Sequence, residues 1–113
     1  MIDQALPGQL DVPFSLAGRR VWVAGHRGMV GSACVRRLSR EDCDLLTAGR
    51  DAVDLRRQDD VEAFVQDNRP DVVILAAAKV GGIQANVARP GEFIYDNLAI
   101  QNNVIDVARR YDV

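Results

Sequence analysis

The sequence predicts an α/β domain built as the first half of a doubly wound parallel sheet. Three observations carry that expectation. Apolar runs of strand length recur at about 20–24, 43–49 and 71–78. Residues with helical apolar spacing lie between and after them. A glycine turn joins the first run to the first helix.

A length of 113 residues allows one small domain. With 48% hydrophobic and 27% charged residues the chain is ordinary for a globular protein, which argues against a disordered or fibrous class. A formal net charge of −2 gives nucleic acid no general attraction, and 5% aromatic residues make no stacking platform for single strands. A small charged ligand needs only local positive charge and stays open. No apolar run approaches the roughly 18 residues of a membrane span. The stretch MIDQALPGQLDVPF carries acids, prolines and a glycine in place of a signal peptide's apolar core. A cytoplasmic location without a membrane partner is expected. Cys34 and Cys43 make no close CxxC pair, and two thiolates do not fill a tetrahedral metal site. They read as small apolar side chains, and no metal is expected.

Residues 1–18 read as an N-terminal leader without regular structure, punctuated at Pro7-Gly8 and Ala17-Gly18, and residues 19–113 as the domain. RRVWVAG gives a buried strand over about Arg20 to Ala24, ended by Gly25. The spacing of Met29, Val30, Ala33, Cys34 and Leu38 predicts a helix over about 29–40, with Arg36, Arg37 and Arg40 on its solvated face. CDLLTAG is a second short strand. Asp54 is placed to cap a helix from near Leu55 to Asn68, striped by Val61, Phe64 and Val65 and stopped by Pro70. DVVILAAA is a third strand, apolar enough to be covered on both faces. After a loop through Gly81-Gly82, Pro90 opens the last long helix, with Phe93, Leu98, Ile100, Val104, Ile105 and Ala108 at its apolar positions.

Right-handed crossovers turn this order into three parallel strands with helices on both faces, the N-terminal half of a Rossmann-like fold. Strand order 3-2-1 is expected, which leaves strand 1 on an open edge. A fourth strand covers that edge in a complete fold, and the sequence is expected to stop short of it.

The turn GHRGMVG places Gly25, Gly28 and Gly31 between strand and helix, the context a dinucleotide fingerprint requires. Gly25 permits the tight turn, Gly28 lets backbone approach a pyrophosphate, and Gly31 lets helix and sheet pack closely. The helix N-terminus then favours the anion. The spacing is GxxGxxG, one residue longer than the strict form, and no Gly-Lys-Ser/Thr follows as in a kinase-type loop. Met29 and Val30 complete the turn, and His26 shapes it rather than transferring a proton.

The choice of dinucleotide is a question of charge. After the second strand, AGRD offers Arg50 and Asp51 as rival contacts to an adenosine ribose. Arg27 in the glycine turn favours the cationic option, because two guanidinium groups clasp a 2′-phosphate and so select NADP. The alternative is that both are solvated loop arginines. Asp54 is then either a helix cap or an acceptor for the adenine amino group. Lys79 follows the third strand at its carboxyl end, along the nicotinamide or substrate side, or is an ordinary surface lysine. No Ser-His-Asp or Cys-His arrangement is evident.

Together VAGHRGMVGSA, GRDAVDL, AAAKVGGIQAN and FIYDN resemble the GDP-L-fucose synthase family, a branch of the extended short-chain dehydrogenases/reductases. The resemblance runs from about Arg20 to Val113. It implies a homodimeric, NADPH-dependent 3,5-epimerase and 4-reductase that converts GDP-4-keto-6-deoxy-D-mannose to GDP-L-fucose. It further implies that Gly25 to Gly31 hold the pyrophosphate and that Arg27 and Arg50 take the 2′-phosphate. Asp54 and Leu55 would line the adenine pocket, while Ala76, Ala77 and Lys79 approach the nicotinamide ribose. Asn97 would support the site from behind.

In that family the reduction uses a serine with a Tyr-x-x-x-Lys pair, and the epimerisations use a downstream cysteine and histidine. Tyr95 does not qualify, because Ala99 stands where the lysine belongs. Catalytic residues are therefore expected to lie outside this stretch. The chain reads as the cofactor-binding N-terminal part of such an enzyme, inactive alone. A non-catalytic or self-associating nucleotide-binding protein is the competing reading, and another nucleotide-sugar epimerase or dehydratase is the third.

Overall fold

The computed structural model describes residues 14–113. Most of the expected leader, residues 1–13, lies outside the described residues. Of its remainder, Leu16 packs against the core and Gly18 N donates to Asp42 O at 2.8 Å.

Seven elements follow in the order β1 (Arg20–Ala24), α1 (Met29–Leu38), β2 (Asp44–Leu46), α2 (Gln58–Asn68), β3 (Val72–Leu75), α3 (Ile83–Ala88) and α4 (Pro90–Arg110). All three strands are parallel, with Val21 opposite Leu45 of β2 on one side and Val72 of β3 on the other. The open α/β half-fold expected from the sequence is present.

The strand order is not the expected one. It is β2-β1-β3, so β1 is central rather than an edge, and β3 occupies the place assigned to a fourth strand. The reason lies in which face each helix covers. Trp22 and Ala24 of β1 point to one face, into a core with Val61 and Val65 of α2 and Val104 and Val107 of α4. Val21 and Val23 point to the other, against Leu38, Cys34 and Val35 of α1. Successive right-handed crossovers on opposite faces must step in opposite directions, so the chain returns past β1 after β2. Order 3-2-1 requires α1 and α2 on the same face.

Other differences are local. The helix expected from Leu55 begins at Gln58, with Arg57 at its N-cap position and no side-chain cap; Asp54 therefore does not cap it. The stretch after Gly81-Gly82 contains the short helix α3. In α4 the buried stripe is Phe93, Asp96, Ile100, Val104 and Val107, leaving Leu98 and Ile105 half exposed. Both cysteines are free and pack beside the α1 core, as expected.

Candidate functional site

β1 delivers its carboxyl end directly into the glycine turn. Gly25 has φ +93°, and a Cβ there would lie 2.6 Å from the Ala77 main chain. At Gly31 a Cβ would lie 1.8 Å from Gly25 O, so α1 begins in direct main-chain contact with the end of β1. Gly28 is different: its φ is −74° and its Cβ position is uncrowded, 3.7 Å from Gly25 O. As the N-cap of α1 it makes no side-chain cap, and no acidic residue stands in the first turn. The first N–H groups of a ten-residue helix are thus left without a side-chain acceptor, a setting that favours an anion.

Over this edge of the sheet lies a cavity of about 320 Å³. It brings together Gly25, His26, Arg27, Gly28, Arg50, Asp54, Leu55, Ala77 and Lys79 from the sequence-derived candidates. The others are adjacent rather than lining. Met29 and Val30 are exposed on the first turn of α1, Gly31 is buried beneath the turn, and Ala76 is engaged in donating to Ala24 O at 2.9 Å. Asn97 stands behind Lys79.

One end of the cavity is cationic. The Arg27 side chain reaches from the glycine turn to the loop after β2, where a Cβ on Gly49 would lie 3.2 Å from its Nη2. Arg50, the next residue, lines the same end. Asp54 is held next to it. Its Oδ1 accepts from Arg56 N at 3.0 Å and Nε at 3.1 Å, and its Oδ2 accepts from Nη2 at 2.9 Å. This fork, aided by the more distant charge of Arg50, lowers the Asp54 pKa to about 2 against the opposing effect of burial. Asp54 N donates to Asp60 Oδ2 at 3.1 Å and Asn103 Nδ2 donates to Leu55 O at 3.0 Å, which fixes the loop to α2 and α4.

At the other end, Lys79 is enclosed by carboxylates. Its Nζ donates to Glu92 and, at 3.1 Å, to Asp96 Oδ2, and lies 5.4 Å from the centre of the Phe93 ring. These two hydrogen bonds hold the ammonium group above its ordinary pKa. Asp96 Oδ2 is also 3.8 Å from Arg56 Nη1, so one buried carboxylate joins the two ends of the cavity.

Arg56, Asp96, Glu92 and Asn103 were not among the sequence-derived candidates. For Asp96 a signal existed: it occupies a position in the buried helical stripe between Phe93 and Ile100. For Arg56 none existed, because Asp54 is read as a cap or an adenine acceptor and its second neighbour Asp96 lies 40 positions away.

Residues 21–113 match the NAD dependent epimerase/dehydratase family. The chain belongs to that family. Within it, the chain is 52% identical to the GDP-L-fucose synthase of Sinorhizobium fredii, a match covering 88% of this chain and 32% of that one. It is 48% identical to the GDP-L-fucose synthase of Escherichia coli, over 87% of this chain and 31% of that one. The GDP-mannoheptose C4 reductase MlghC of Campylobacter jejuni, whose structure has NADP bound, superposes with a TM-score of 0.79 and 38% identity. That superposition covers 85% of this chain and 31% of MlghC. The chain thus spans about a third of the length of these epimerase/dehydratase relatives.

Proposed function

We propose that this chain is the NADP-binding part of an epimerase/reductase that acts on a GDP-linked 4-keto sugar and forms GDP-L-fucose. The observation that carries the cofactor reading is the approach of Arg27 to Gly49 beside Arg50, which gathers two guanidinium groups at one end of the cavity. Two fixed-charge forks suit a ribose 2′-phosphate and have no counterpart for them in NADH. The NADP bound to MlghC supports the same choice.

The residues present fit the cofactor. The missing Cβ atoms of Gly25 and Gly31 let the turn close against the Ala77 main chain and Gly25 O, while Gly28, the uncapped N-cap of α1, lines the cavity with open space at its Cβ position, where a pyrophosphate belongs. His26 and Gly28 continue that cradle, while Met29 and Val30 carry its helical side. Asp54 and Leu55 hold the adenine, and Ala76, Ala77 and Lys79 border the nicotinamide ribose. When bound, NADPH supplies the hydride that reduces the 4-keto group. The same ketone acidifies the protons at C3 and C5 by enolate formation, which is the basis for epimerisation. No residue of this chain is assigned a proton-transfer role. A cytoplasmic location completes the proposal, and no helix among the described residues is long and apolar enough to cross a membrane.

Titration of the chain with NADPH and NADH tests the cofactor assignment. Arg50→Ala and Arg27→Ala each weaken NADPH by about tenfold and leave NADH unchanged, given the strength of charge-assisted hydrogen bonds. Equal affinity for both dinucleotides, unmoved by Arg50→Ala, overturns it. Turnover of the keto sugar by the purified 113-residue chain overturns the absence of a catalytic role.

Self-association is a second reading, favoured by the exposed apolar residues Ile94, Leu98 and Ile105 of α4. A homodimer is the partner this reading proposes, and sedimentation at micromolar concentration measures it. A monomer throughout overturns it.

A further inference from the structure

The Asp54 carboxylate has less freedom to bind a ligand than its place in the cavity first implies. A carboxylate offers about four acceptor sites, two on each oxygen. Arg56 fills both on Oδ1, through its main-chain N and its Nε, and one on Oδ2, through Nη2. A single acceptor site remains, and it is on Oδ2. Because the group is held ionised, that site takes a donor and repels a carbonyl oxygen.

The surroundings indicate which donor. Asp54 adjoins the cavity's apolar walls, Trp22, Ala48, Val53, Leu55 and Ile100, which suit the flat face of a base better than ribose hydroxyls. Arg56 also has a second charged neighbour. Its Nη1 lies 3.8 Å from Asp96 Oδ2, on a side chain with 12% exposure that also receives Lys79. The guanidinium is thereby bonded to the loop after β2 and attracted to a carboxylate of helix α4.

We propose that Arg56 is a specificity-determining positioning residue: it presents one acceptor of Asp54 to the exocyclic amino group of a purine, and Asp96 fixes Arg56 for that task. This rests on the dinucleotide reading above. Adenine carries an amino group at that ring position and hypoxanthine carries a carbonyl, so a dinucleotide with either base probes the same contact with opposite polarity.

The experiment compares the affinity of the chain for NADPH and for reduced nicotinamide hypoxanthine dinucleotide phosphate, by calorimetry, in the unaltered protein and in Arg56→Leu, Arg56→Lys and Asp96→Asn. The unaltered chain is expected to prefer adenine by about tenfold or more, since a hydrogen bond to a charged group is replaced by an unpaired one. In Arg56→Leu the preference falls to near parity. In Arg56→Lys, which keeps the charge and loses the fork, it falls severalfold, and Asp96→Asn lowers it in the same direction. A purely structural role for Arg56 weakens both dinucleotides by the same factor, and that result overturns the proposal. Should Arg56→Leu fail to fold, an undiminished adenine preference in the other two variants overturns it equally. NADPH binding without adenine preference in the unaltered chain refutes this inference and leaves the dinucleotide reading standing. No NADPH binding at all refutes both.

Discussion

Asn97 grips Lys79 at both main-chain polar atoms. Its Oδ1 accepts from Lys79 N at 2.6 Å, and its Nδ2 donates to Lys79 O at 3.1 Å. One amide side chain on α4 thus substitutes for a strand partner just beyond β3, where the sheet pairing has ended. Replacing Asn97 with alanine leaves two partly buried main-chain groups without partners, at a cost of about 1–3 kcal/mol. Urea unfolding measures this, and Asn97→Asp should restore less than half, because its second oxygen faces Lys79 O. Full restoration by aspartate would falsify the two-point grip.

Gly31→Ala is expected to be far more damaging than an ordinary glycine replacement. The new methyl meets the main-chain oxygen of Gly25 at 1.8 Å, with no flexible side chain there to yield. The cost should reach or exceed about 3 kcal/mol, the upper range for overpacking. Gly28→Ala, with its Cβ position open, should cost less than about 1 kcal/mol. Thermal unfolding of the two variants checks the order, and equal losses contradict it.

Trp22 is almost fully buried at 1% exposure, its ring centre 4.5 Å from that of Phe64 and its plane tilted by 40° to it, yet its Nε1–H has no hydrogen-bond partner among the described residues. Two effects then oppose one another in Trp22→Phe: lost volume destabilises, and removal of an unpaired donor stabilises. The net change should stay within about 1.5 kcal/mol, whereas Trp22→Ala should cost about 3–5 kcal/mol. A Trp22→Phe loss as large as that of Trp22→Ala would show that the orphaned donor carries no penalty.

The Asp54–Arg56 fork has an acid signature. The Asp54 pKa is lowered from 3.8 to about 2 in the folded chain. Its ionised form therefore contributes stability above about pH 4, and that contribution disappears as pH falls through about 2. Arg56→Leu removes the main cause of the shift. The stability difference between the unaltered chain and this variant should narrow steadily between those two values. Urea midpoints at several pH values measure it, and a difference that stays constant contradicts the assignment.

Strand β1 and the start of α1 were legible from local pattern, since Val21 to Ala24 form one apolar run and Gly25 can end it. Pro90 marked the start of α4 for an equally local reason, its fixed φ. The order of strands was not legible in this way. It depends on which face α1 and α2 cover, and only the pairing of Trp22 with α2 and Val21 with α1 reveals that. The site divided along the same line. Gly25, Arg27, Arg50 and Lys79 adjoin strand ends, where a sequence reading looks for ligands. Arg56 and Asp96 meet across the fold, and of the two roles open to Asp54, helix cap or adenine acceptor, the cap falls away because α2 starts only at Gln58 behind Arg57. Helix α3 escaped because its six residues form no apolar stripe that becomes buried.

The contact of Gly31 with Gly25 O, and of Gly25 with Ala77, has a consequence for the entropy of binding. The turn is joined through main-chain atoms alone, so no rotamer must be frozen to bring its N–H groups into line. That ordering is completed when the protein folds. Arg27 and Arg50 are different, because each hangs from the frame on a long stem with about 2 kcal/mol of rotamer entropy to lose. On the reading proposed above, an anion settling at this edge would take its conformational toll from two arginine side chains and leave the backbone as it found it.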